Sequence, residues 1–203
     1  MVAASFCIIT KKGVNMAIDK TAGALDNNRI IYMSGDFNEN QAKDIITRMF
    51  TLECSDPTKD ILMYIDSYGG HVHSFLAMHD AMKILRCNVA TVSIGKTMSC
   101  GQMLLISGTK GKRFITPNAR VLMHEVSNGL WGKLTDIEIE VHETKILKII
   151  LDNMILKYTK IKKDELKNIM VRDSYFSAEE SLRLGIVDHI IHNPKDLYGR
   201  INL

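Results

Sequence analysis

Five consecutive apolar residues, Ile61-Leu62-Met63-Tyr64-Ile65, run into Asp66-Ser67-Tyr68-Gly69-Gly70 and then into a helical stretch over about Val72–Leu85. A strand that is apolar at every position, not at every second one, is covered on both faces. Such strands belong to parallel sheets with crossover helices. The pattern repeats along the chain. Arg29–Met33 reads as a strand, and Glu39–Glu53 as a helix with Ile45, Ile46, Met49 and Phe50 at helical spacing. Val89–Ile94 is the next strand, broken by Gly95-Lys96-Thr97-Met98, with a helix beginning near Ser99. Arg113–Thr116, Val121–His124 and Gly185–Ile191 read as further strands. This alternation predicts an α/β fold with a mainly parallel sheet and flanking helices.

Two segments fit a capping box, Thr135-Asp136-Ile137-Glu138 and Ser177-Ala178-Glu179-Glu180. The first is expected to open a helix reaching about Tyr158, roughly 36 Å long at 1.5 Å per residue. A domain of this size has a radius of gyration of about 17 Å, so the helix spans most of it. Ile146, Leu147, Ile149, Ile150, Leu151, Met154, Ile155, Leu156 and Tyr158 sweep over half of its circumference. One sheet face does not cover that much. A partner subunit is expected to supply the remainder, the alternative being a fully internal helix.

The 203 residues suit one domain, with 46% hydrophobic and 24% charged residues, enough to bury a core without disulfides. The net charge of +3 gives no footing for nucleic acid or an anionic membrane. No run approaches a membrane-spanning length. Cys7, Cys54, Cys87 and Cys100 form no Cys-x-x-Cys pair. With no secretory signal, reduced thiols and a cytoplasmic location are expected. Residues 1–28 read as an N-terminal arm, 29–193 as the domain and 194–203 as a tail. Met16 is an alternative start.

Chemistry concentrates at two turns that each follow a buried strand and open a helix. Glycine at Gly69-Gly70 lets backbone N–H groups approach a ligand. At Met98-Ser99-Cys100-Gly101 a hydroxyl is presented beside a helix start, although a lone Ser there is more commonly an N-cap. The N–H groups of Gly70 and Cys100 together form a candidate oxyanion hole. His124 ends a strand, and Asp173 precedes the capped helix at Ser177. Taken singly, each suits a structural role. Together Ser99, His124 and Asp173 supply a nucleophile, a general base and the group that orients the base. His71, His73 and His79 lack a fourth ligand at zinc spacing and are read as solvated. Gly108-Thr109-Lys110-Gly111-Lys112 lacks the phosphate-loop pattern and is read as a turn. Cys100 as a thiol nucleophile requires a depressed pKa.

These segments resemble a known family in order and spacing. They are Asp60 to Gly70, Ser93-Ile94-Gly95 through Ser99-Cys100-Gly101, Gly111-Lys112-Arg113-Phe114, Pro117 to His124, Thr135 to Ile139, Arg172-Asp173, Phe176 to Glu180 and Gly185-Ile186-Val187-Asp188. From about Asp26 to Ile191 the chain is similar to the proteolytic subunit of the Clp protease, ClpP. The resemblance implies a crotonase/ClpP-like fold with a protruding handle helix, about 127–160. It implies a cytoplasmic serine endopeptidase with Ser99, His124 and Asp173 as triad and Gly70 and Cys100 as oxyanion donors. Asn128, Gly129, Leu130, Trp131 and Gly132 are then the strand on which substrate is laid by β-augmentation. Arg172 resembles a residue pairing across the ring interface. The implied partners are heptameric rings stacked as a tetradecamer, a hexameric AAA+ unfoldase that uses the ATP, and unfolded polypeptides. No metal or cofactor is implied for the chain itself.

The departures are specific. Asp66 and Tyr68 stand in the family's Asn-Ser-Pro-Gly-Gly, and Tyr68 is expected to crowd the cleft. Met98 is bulkier than the usual Ala. Glu125-Val126 replaces Gln-Pro, and the carboxylate is expected to raise the pKa of His124. Lys11–Lys20 replaces the usual axial arm, which suits a paralogue working beside a second subunit type. The alternatives are a weakly active or inactive subunit of a mixed ring, and an acyl-CoA enzyme on the same fold.

Overall fold

The computed structural model describes residues 25–203; Lys11–Lys20 and the remainder of the expected arm to residue 24 lie outside the described residues. Strands β1 (Ile30–Phe37), β2 (Ile61–Gly70), β3 (Val89–Met98), β4 (Arg113–Ile115) and β7 (His189–Ile190) lie side by side in that order, every pair parallel. β3 forks. Thr91–Ser93 pair with β4, while Lys96–Met98 pair with β5 (Arg120–Met123). β6 (Ser174–Phe176) then runs antiparallel to β5. The mainly parallel α/β architecture is the one the apolar runs predict.

Ile61, Leu62, Met63 and Ile65 are all fully buried, because β2 is covered on both faces. On one side Ile31, Met33, Ile61, Met63 and Ile65 meet the helices α1 (Glu39–Ser55), α2 (Val72–Ile84), α3 (Cys100–Ile106), α4 (Leu134–Tyr158) and α5 (Lys163–Met170). On the other, Leu62, Ala90, Val92 and Phe114 are covered by the C-terminal segment with α7 (Pro194–Tyr198), through Leu197, Ile201 and Leu203. Asn202 ties that segment down, donating to Asp60 Oδ2 at 3.0 Å while its carbonyl accepts from Asp60 N–H at 2.6 Å.

Several boundaries differ from the sequence expectation. Asp66–Gly70 is not a turn: Gly69 and Gly70 pair with Asp36 and Phe37, so β2 continues to its end. β3 likewise runs through Gly95, whose φ of +66° lets the strand bend and change partner. The long helix starts at Leu134, not Thr135. Gly132 (φ +146°) turns the chain, and Lys133 is the extended residue before it, so Thr135 falls inside the first turn without capping. Only His189–Ile190 of 185–191 form a strand, because Gly185 is left-handed and Ile186 and Val187 donate back to the Ser181 carbonyl. The capping box at Ser177 forms as expected, opening α6 (Ala178–Arg183). α4 buries only Leu151, Met154 and Ile155, so it is not an internal helix; Ile139, Ile146, Ile149 and Ile150 remain exposed.

Candidate active site

Three strand ends meet at one point, and the register explains how. β3 and β5 are parallel, with Met98 opposite Leu122, and the next N–H, that of Ser99, donates to the Leu122 carbonyl at 3.0 Å. β5 and β6 are antiparallel, with Met123 opposite Ser174. One step outward therefore sets His124 across from Asp173 and beside Ser99. His124 Nε2 is 2.8 Å from Ser99 Oγ. His124 Nδ1 is 3.9 Å from Asp173 Oδ1, an ion-pair distance but beyond a hydrogen bond, and Asp173 is exposed.

Ser99 adopts φ +53°, ψ −124°. Positive φ is strained for a residue with a Cβ, and such strain persists only where the surroundings impose it. Here they do. An added Cβ on Gly69 (φ +103°) would lie 2.7 Å from Ser99 Cβ and 2.9 Å from Cys100 N, so the two backbones touch. Ser67 holds this approach from below: its buried Oγ accepts from Gly69 N–H at 3.0 Å and donates to the Gly35 carbonyl.

Cys100 Sγ–H donates to the Gly70 carbonyl at 3.2 Å. Burial pushes the Cys100 thiol up to about 11. It is thus a neutral tether between the end of β2 and the start of α3 at neutral pH, which removes the driving force for thiolate chemistry. Gly70, Ser99, Cys100 and His124 line one cavity of about 70 Å³, walled by apolar side chains of α3, α4 and α5.

The family model for Clp protease matches residues 13–194. The chain belongs to the Clp protease family. That fits the mainly parallel sheet with its flanking helices and long α4, and membership implies serine peptidase chemistry.

The residues that depart from the Clp pattern are placed as follows. Tyr68 does not line the cavity. Strand alternation puts it on the face of Tyr64 and Asp66, opposite Ser67 and Gly69, where Lys96 Nζ sits 4.7 Å from its ring centroid. Glu125 turns toward Lys148 Nζ at 3.5 Å, and Lys148 also meets Asp152 at 2.7 Å, so the Glu125 carboxylate faces α4. Asn128–Gly132, expected as a substrate-binding strand, is irregular, with Trp131 fully exposed; residues 124–133 have no ladder partner among the described residues. Arg172 is exposed beside Asp173. His79 is held by Tyr158 Oη and Asp80, at 3.1 and 2.9 Å. Among the described residues no cluster of His, Cys, Asp or Glu is arranged to hold a metal, and no helix is long and apolar enough to cross a membrane.

Sequence reasoning gave no role to Ser67 or Gln102, both of which the fold brings to the site. For Ser67 the signal was a Ser two residues before a glycine, a common turn feature that points nowhere without β1 beside it.

Proposed function

We propose that the chain is the proteolytic subunit of a Clp-type protease, a serine endopeptidase acting through an acyl-enzyme. The 2.8 Å approach of Ser99 Oγ to His124 Nε2, with Ser99 held in a strained strand-to-helix turn, carries this reading. Ser99 Oγ attacks the scissile carbonyl while His124 takes its proton. The proton then passes to the leaving amine, and a water repeats the sequence to release the acyl group. Gly70 and Cys100 N–H groups hold the oxyanion, each worth about 10²–10³ in rate. Asp173 orients the imidazole once the 3.9 Å gap closes.

Members of the family assemble into rings and work with AAA+ unfoldases. We extend this to stacked heptamers fed with unfolded polypeptide, with segment 128–132 gaining its strand partner from substrate and Arg172 lying at a subunit contact. The open Asp173–His124 pair also suits a subunit that is weakly active until it sits in a mixed ring.

The test is intact mass after treatment with a fluorophosphonate, wild type beside Ser99→Ala. One adduct in the assembled wild type and none in the variant is expected. An assembled wild type that takes no adduct overturns the reading.

A further inference from the structure

Beside Ser99 the cavity contains a polar group that no part of the described chain satisfies. Gln102 lies three residues after Ser99, so on α3 its side chain leaves the helix on the nucleophile's side. It lines the cavity that Ser99 and His124 line. It is 2% exposed, and its Nε2 is buried with no hydrogen-bond partner among the described residues. Most of the remaining wall is apolar, with Val72, Met103, Val126, Leu151, Ile155 and Met170; Ser127 also lines it but makes no hydrogen bond to the amide. A buried amide left unpaired is costly, and the cost disappears when an occupant supplies the partner.

The size of the cavity narrows the occupant. At about 70 Å³ it is about half the volume of a cavity that admits benzene. An aromatic side chain does not fit. An ionised one fits poorly, since the apolar wall strips its hydration without compensating it. What remains is a compact, uncharged side chain with a hydrogen-bonding oxygen.

We propose that Gln102 is a specificity-determining residue, selecting substrates whose side chain on the acyl side of the cut bond is Thr or Asn over the apolar isosteres Val and Leu. This rests on the serine peptidase reading. The Gln102 amide donates to the substrate's side-chain oxygen. An apolar isostere leaves that amide buried and unpaired. Discrimination by such a loss operates through kcat/KM.

The experiment uses fluorogenic peptides identical except at that position, in matched pairs, Asn against Leu and Thr against Val. They are offered to the assembled wild type, Gln102→Leu and Gln102→Met. The wild type is expected to favour the polar member of each pair by about tenfold, the effect of one neutral hydrogen bond. In both variants the ratio falls below one. A wild type that prefers Leu and Val overturns the proposal and leaves the amide satisfied by water alone; this arm decides even where a variant fails to fold. Ratios unchanged in folded variants overturn it too. Fluorophosphonate labelling of wild-type Ser99, run alongside, separates the two readings. Labelling without the expected ratios removes only the role of Gln102, whereas no labelling and no cleavage removes both.

Discussion

Gly69 and Ser99 are locked by contact, and that contact is where a single methyl group has its largest effect. Gly69→Ala places a Cβ 2.7 Å from Ser99 Cβ and 2.8 Å from the Met98 carbonyl, with backbone on two of the three nearest atoms. Backbone does not yield as a side-chain tip does. Ser99 must shift, and a 1 Å misplacement of a reacting group costs about 10²-fold. The expected outcome is a loss of Ser99 labelling by fluorophosphonate of at least about 100-fold, with destabilisation of about 2–4 kcal/mol. Gly111→Ala is the control. Gly111 also has positive φ, +85°, but nothing lies within 4 Å of its added Cβ. It carries backbone strain without collision, and should cost about 1 kcal/mol and leave labelling intact. Equal losses from the two substitutions would show that strain, not contact, dominates at Gly69. Ser99 and His124 stood out as candidates in the sequence because each abuts a recognisable strand or helix end, and Asp173 because it precedes the capped helix at Ser177. The Gly69–Ser99 contact was not, since it exists only when β2 and β3 lie side by side.

At the scale of elements, Arg113 joins three parts of the fold that local sequence leaves separate. It is buried on β4. Its Nη2 and Nε donate to Asp188 at 2.6 and 2.9 Å, and its Nη1 donates to the Tyr158 carbonyl at 2.6 Å, on the last residue of α4. Burial pushes the Asp188 carboxyl upward, but the bonds from Arg113 and from the Gly111 N–H outweigh it and hold the pKa below the ordinary range. A depressed carboxyl stabilises the fold above its unfolded pKa, near 4, and the contribution is lost as pH falls through the lower folded value. Asp188→Asn should therefore cost about 3 kcal/mol at pH 7, since it leaves a buried guanidinium without its counter-charge. The gap between variant and wild type should narrow below about pH 4. Urea midpoints at pH 7 and pH 3 measure both; an equal gap at the two pH values would refute the ion-pair account. The same neighbourhood shows what the sequence did not reveal. The strongly apolar runs of β2 and β3 read clearly. α5, with Lys163, Asp164, Glu165 and Lys167 among its eight residues, buries only Leu166 and Met170. β6 has three residues and β7 two, so their pairing is set by β5 and β4 and not by their own composition.

For the whole molecule, the exposed apolar row on α4 decides what the isolated chain lacks. Ile139, Ile146 and Ile149 follow one another at seven and then three residues, the spacing of a single helix face, and all three are exposed. At about 25 cal/mol per Å² of apolar surface, a row of isoleucines left in water is a substantial driving force for association. Because these side chains make little use of the subunit's own core, charging them separates assembly from folding. Ile146→Lys with Ile149→Lys should leave the thermal midpoint of the subunit within a few degrees, as surface substitutions do. Under the proposed stacked-ring assembly, it should halve the mass by sedimentation, from paired rings to single ones. The open Asp173–His124 pair ties this to chemistry. If the long α4 carries the ring-to-ring contact that orders the neighbouring segment, the charged variant labels Ser99 more slowly than wild type at equal subunit concentration. Unchanged sedimentation would show that this row on α4 does not carry the proposed ring-to-ring contact. Halved mass with undiminished labelling would show that the proposed stacking is not what aligns Asp173 with His124 across the 3.9 Å separation.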